Sequence, residues 1–121
     1  MAKNYYEDGN TMDWTNDTSA DVKSGDLIIL GSPDKAPGTG VAAGDIPIGG
    51  HGVMLMTGVF DFPKEPGGIW RQGDKLYLSP NGTITNVADD GAATPVAYPF
   101  AGTAWNNAAS ADPKCQVRIG Y

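Results

Sequence analysis

A single cysteine, a single histidine and only two glutamates leave several kinds of chemistry without their residues. Cys115 has no partner for an internal disulfide or a cysteine cluster, which predicts a chain made in a reducing compartment. With His51 as the only imidazole, neither a structural zinc site nor an H-E-x-x-H pair can be assembled. Basic residues are sparse too: eight Lys and Arg, scattered singly, face fourteen acidic residues for a net charge of −6. No Lys/Arg stripe is available to neutralise phosphates, which argues against a nucleic-acid partner. Long hydrophobic runs are also missing. Nothing approaches membrane-spanning length, and residues 1–8 carry no apolar signal-like core, so a soluble, non-secreted chain with no membrane partner is expected. The Asn-x-Thr triplets at Asn16 and Asn81 then read as chance rather than as glycan acceptors.

Helix formers are the next shortage. Leu, Met, Glu, Gln and Arg together number 15, against 23 Val, Ile and Thr. Seventeen Gly and nine Pro interrupt the remainder, and twelve of the fourteen acids are Asp, which favours turns over helix interiors. β-Branched side chains suit a pleated surface. The 121 residues therefore predict one all-β unit, a small β-barrel or β-sandwich with long Gly/Pro-rich loops. Residues 1–10 read as an extended N-terminal arm and residues 11–121 as a single β domain.

Periodicity places the strands. Met12 and Trp14 alternate with Thr11, Asp13 and Thr15, a half-buried strand with its aromatic inward. Asp26-Leu27-Ile28-Ile29-Leu30 is a short continuous apolar run of the kind buried on both faces. Residues 31–52, rich in Gly and Pro, read as loop with a short strand near Ile46 to Ile48. Residues 53–60 read as one central strand with Gly58 at a bulge or close approach. Pro80-Asn81-Gly82 separates two strand-like runs and predicts a hairpin. Cys115, Val117, Ile119 and Tyr121 alternate with Gln116, Arg118 and Gly120, a C-terminal strand in which Cys115 is a small buried hydrophobe. Residues 103–112 read as loop or one or two helical turns. Ser24-Gly25-Asp26, Ala43-Gly44-Asp45 and Gln72-Gly73-Asp74 echo one another as turns that start strands, at spacings too unequal for a solenoid.

Candidate chemistry is thin. His51, in Gly49-Gly50-His51-Gly52, lacks a recognisable nucleophile partner unless Cys115 is near, so an enzyme is not expected. Asp89-Asp90-Gly91 offers adjacent carboxylates but not the spaced oxygen ligands of a calcium loop. No phosphate-binding glycine pattern occurs, and neither cofactor nor metal is expected. What remains is aromatic surface. Trp14 and Phe100 read as core, and Tyr5 and Tyr6 as residues that dock on a neighbour.

Met1-Ala2-Lys3-Asn4-Tyr5, Asp13-Trp14-Thr15-Asn16, the run from Val22 to Gly31, the run from Gly58 to Lys64, and Gln72-Gly73-Asp74-Lys75-Leu76-Tyr77 together resemble the phage head-decoration, or capsid cement, proteins. The similarity extends in order over nearly the whole chain. It implies a structural virion protein made in the bacterial host cytoplasm and bound to the outer surface of a tailed-phage icosahedral capsid, where it stabilises contacts between major capsid subunits. It also implies a homo-oligomer, a trimer ahead of a dimer. Ala2, Lys3, Asn4, Tyr5 and Tyr6 are the expected partner-binding residues. The alternative is a carbohydrate-binding or adhesive β-module, with Trp70, Trp105 and Tyr98 as sugar-stacking platforms.

Overall fold

The computed structural model describes residues 3–4, 9–31 and 38–119, and no helix occurs among them. Among the described residues nine strands follow one another: β1 (Thr11–Thr15), β2 (Leu27–Leu30), β3 (Gly38–Ala42), β4 (His51–Leu55), β5 (Val59–Pro63), β6 (Lys75–Leu78), β7 (Ile84–Thr85), β8 (Phe100–Ala104) and β9 (Lys114–Ile119). They form two antiparallel sheets, ordered β1-β4-β3-β2 and β5-β9-β8-β6-β7. The all-β expectation is met, in a sandwich-like arrangement of two sheets rather than a closed barrel. The Pro80-Asn81-Gly82 hairpin forms with Gly82 at φ 80° and Tyr77 opposite Thr85. Cys115, Val117 and Ile119 are buried, as the C-terminal alternation predicts.

Four segments differ from the sequence reading. Residues 31–52 were expected as loop, yet β3 is an inner strand whose Val41 and Ala42 are buried. Its glycines hid it; a Cβ on Gly40 would sit 3.1 Å from the Met56 sulfur. The expected single strand over 53–60 is instead two, β4 and β5, in different sheets; the chain crosses between them at Thr57 and Gly58 (φ 126°). The apolar run of β2 lies at a sheet edge rather than inside, which leaves Ile29 49% exposed. Of residues 103–112, read as loop or one or two helical turns, 105–112 are loop with Ala108 bridging Trp70, while Thr103 and Ala104 instead finish β8.

The two sheets are built on one plan. β1, β4, β3 and β2 occupy in the first sheet the places of β5, β9, β8 and β6 in the second, with β7 added outside β6. The loops agree bond by bond. Gly25 N–H donates to Ala42 O (2.9 Å) and Ala42 N–H to Asp26 O (3.0 Å), while Gly73 donates to Ala104 O (2.9 Å) and Ala104 to Asp74 O (2.8 Å). Both glycines have positive φ, 88° and 97°. Ser24 N–H reaches Asp45 Oδ1 at 2.9 Å, and Gln72 N–H reaches Asn107 Oδ1 at 2.7 Å. Val22 bridges Ile46 as Trp70 bridges Ala108. Two of the three Gly-Asp echoes are thus equivalent positions of a duplicated half; the third, Ala43-Gly44-Asp45, supplies the carboxylate that holds the first.

The interiors correspond as well. Trp14, Val22, Ile28, Leu30, Ala42, Ile46, Met54 and Met56 form the smaller apolar cluster. Their counterparts Phe62, Trp70, Leu76, Leu78, Ala104, Ala108, Val117 and Ile119 all lie in the larger one. Volumes are exchanged across equivalent contacts, as close-packed interiors require. Val22 and Ile46 become Trp70 and Ala108. Gly52, where a Cβ would fall 2.5 Å from Ile46, becomes Cys115. The halves meet through β3 and β8, themselves counterparts. Thr39 Oγ1 donates to Phe100 O (3.1 Å), and Val41 and Leu27 join the larger cluster.

Candidate functional site

Of the five residues expected to bind a partner, Lys3 and Asn4 lie exposed in a turn, while Ala2, Tyr5 and Tyr6 fall outside the described residues. Trp70 is 3% exposed, so it cannot stack on a sugar; its ring lies under the Lys64 ammonium, 5.4 Å from the ring centroid. Lys64 is itself buried and donates to Glu65 O at 3.0 Å. Its counterpart Asn16 donates to Ala20 O (3.0 Å) and Ile46 O (2.9 Å), a buried loop staple with no room for a glycan. Trp105 is half exposed and Tyr98 partly buried.

His51 and Cys115 lie in different sheets. The His51 ring is exposed, its Nδ1 2.8 Å from Thr15 Oγ1. Cys115 is buried, its thiol donating weakly to Phe62 O at 3.7 Å, and burial pushes its pKa up to about 11. A thiol held neutral in this way is a poor nucleophile. Among the described residues, no three His, Cys, Asp or Glu side chains gather closely enough to hold a metal ion. The Asp89-Asp90-Gly91 turn is tied up internally: Asp90 accepts N–H bonds from Ala92 (3.1 Å) and Val96 (3.2 Å), which lower its carboxyl pKa.

The concave apolar surface lies instead along β2, the last of the described strands in its sheet. On one side of Ile29 a groove of about 490 Å³ runs between the halves, floored by Trp14, Ile28, Phe62 and Ile84. Asp26 and Asp61 are the charged residues in its lining. On the other side a cavity of about 320 Å³ lies between Ile29, Leu78, Pro80, Val96 and Tyr98. Ile29 and Val96, 49% and 64% exposed, stand at this site. The sequence reading missed both. Four consecutive apolar residues hide the alternation that would mark an edge strand, and Val96 sits in the irregular segment after β7. A sheet edge beside apolar grooves can accept an extended peptide, with backbone bonds for affinity and pockets for alternate side chains.

A family model described as phage cement protein matches residues 6–119. No curated protein and no solved structure matches.

Proposed function

The chain belongs to the phage cement proteins, and from that membership we propose that it binds the outer surface of a tailed-phage icosahedral capsid and ties major capsid subunits together. The family match across residues 6–119 carries this reading. The net charge of −6 supports the outer face, because packaged DNA would repel an acidic protein from the lumen. The role is structural rather than catalytic. Each copy spans neighbouring capsid subunits and buries surface that must be re-exposed when the shell opens. A ligand that binds only the assembled state shifts the equilibrium toward assembly, and repetition over the lattice multiplies a modest contact energy.

In this reading Ala2, Lys3, Asn4, Tyr5 and Tyr6 form an arm that docks on a partner, and the working form is a homo-oligomer, a trimer ahead of a dimer. The protein is made in the bacterial host cytoplasm and joins the virion there. The test mixes purified protein with expanded, undecorated heads of the encoding phage and follows co-sedimentation together with the heads' melting temperature. Saturable binding with a raised melting temperature is expected. Absence of binding at micromolar protein would overturn the cement role.

A further inference from the structure

The duplication shows which strand of the second half has no counterpart among the described residues of the first. In the second half β7 pairs with β6, Thr85 opposite Tyr77 and Ile84 opposite Leu78. Ile84 also bridges Lys64 in parallel, and Glu65 N–H donates to Ile84 O at 2.9 Å. β7 therefore fills the space between β6 and the chain that leaves β5. The counterparts in the first half are Ile29 and Leu30 on β2, and Asn16 and Asp17 after β1. Nothing among the described residues lies beyond β2 in its sheet. Residues 79–99 supply β7, whereas the matching connection is only residues 31–37.

We infer that the edge of β2 receives residues 2–6 of a second copy of this chain, whose exposed Lys3-Asn4 turn opens on docking so that the segment takes beside β2 the place that β7 takes beside β6. Backbone parity supports the pairing. Ala42 N–H bonds Asp26 O, so in an antiparallel ladder Ile28 faces β3, and the N–H and C=O of Leu27 and Ile29 face outward. The groove supplies the rest. Its floor is apolar and its charged residues are Asp26 and Asp61, which suits a segment joining a cation to bulky apolar side chains. Lys3, Tyr5 and Tyr6 have that composition.

Topology decides whose segment it is. A strand antiparallel to β2 runs parallel to β1, as β7 runs parallel to the end of β5. Parallel neighbours in one chain need a crossover of about a dozen residues. Only residues 7–10 separate Tyr6 from β1, and Asn10 O already accepts Met56 N–H at 2.9 Å. The donor is therefore another molecule. Donating with one surface and accepting with another makes a head-to-tail contact, which closes into a ring when the rotation allows.

The inference is tested without capsids, so its outcome is separate from that of the cement role. The full-length double variant Tyr5→Cys, Ile29→Cys is oxidised and run on a non-reducing gel beside each single variant; buried Cys115 serves as an unreactive background. A ladder of linked subunits ending at one closed size, specific to the double variant, is expected. A fast-migrating monomer with an internal disulfide, or no linkage beyond the singles, overturns the inference. In parallel, sedimentation of the native chain and of Ile29→Lys is compared at high micromolar concentration, with melting confirming that the variant is folded. The native chain should be oligomeric and the variant monomeric. A monomeric native chain, or an oligomer untouched by Ile29→Lys, refutes it. If the native chain is monomeric and Ile29→Lys instead abolishes capsid binding, the edge belongs to the capsid protein.

Discussion

Gly40 and Gly102 occupy the same place in the two halves, but adding one methyl group should have very different costs. At Gly102 a Cβ would overlap the carbonyl oxygen of Arg118, lying 2.8 Å from its carbon and 3.0 Å from Ile119 Cα. All three are backbone atoms of the strand that Gly102 pairs with, so β8 and β9 must separate beside the fully buried Val117 and Ile119. Overpacking costs about 1–3 kcal/mol, and each weakened ladder bond adds about 1 kcal/mol. Gly102→Ala should therefore destabilise by about 3–5 kcal/mol. With an unfolding entropy of about 2.1 cal/mol/K per residue, the melting temperature falls by roughly 12–20 °C. At Gly40 the Cβ meets the Met56 and Met54 sulfurs at 3.1 and 3.4 Å, at the far ends of flexible side chains. There the lost freedom of the unfolded chain, about 0.4–1 kcal/mol, offsets the crowding. Gly40→Ala should shift melting by no more than about 4 °C. Thermal denaturation followed by circular dichroism distinguishes the two. Equal shifts would refute the reasoning from backbone approach.

Gly52→Ala should cost about 1–3 kcal/mol through its clash with Ile46, and Ile46→Ala about 2–5 kcal/mol. The double variant, which copies the size relation of Cys115 and Ala108, should lose at least about 0.5 kcal/mol less than the sum in denaturant titration. Lys64→Met removes the cation above Trp70 and the donor to Glu65 O, so a loss of about 1–2 kcal/mol with altered tryptophan emission is expected. Cys115 favours the neutral thiol when folded, its pKa raised from 9.0 to about 11. Its contribution to stability is complete below pH 9 and is lost as pH rises toward 11; titrating the native chain beside Cys115→Ala across that window should show the excess loss only in the native protein. Asp90→Asn should loosen the turn held by Ala92 and Val96 N–H, read as faster amide exchange there.

Alternation and turn chemistry made the C-terminal strand and the 80–82 hairpin legible, because each depends on neighbours in sequence. β3 and β8 were not legible: Gly40 and Gly102 lower strand propensity where another chain segment approaches, a reason that exists only in three dimensions. The duplication stayed hidden for a related cause. The halves keep identical residues at Asp13 and Asp61, at Gly25-Asp26 and Gly73-Asp74, at Leu30 and Leu78, at Gly40 and Gly102, and at Ala42 and Ala104. Between these the interior has traded volumes, Val for Trp and Ile for Ala, so that shape is preserved while sequence is not. At the candidate site the edge of β2 was not legible, since an unbroken apolar run gives no sign of which face or side is open.

The contact between β3 and β8 also bears on how little the halves must do for themselves. Two separate copies of such a sheet would have to find each other at cellular concentration, whereas one chain, through the Thr57-Gly58 link, holds them at an effective concentration in the millimolar range. A join that includes the Thr39 hydroxyl on the Phe100 and Ala101 carbonyls and a few apolar side chains is then sufficient. Held by the tether, the halves need not match at their outer edges: among the described residues β7 lies beside β6, and no strand lies beside β2.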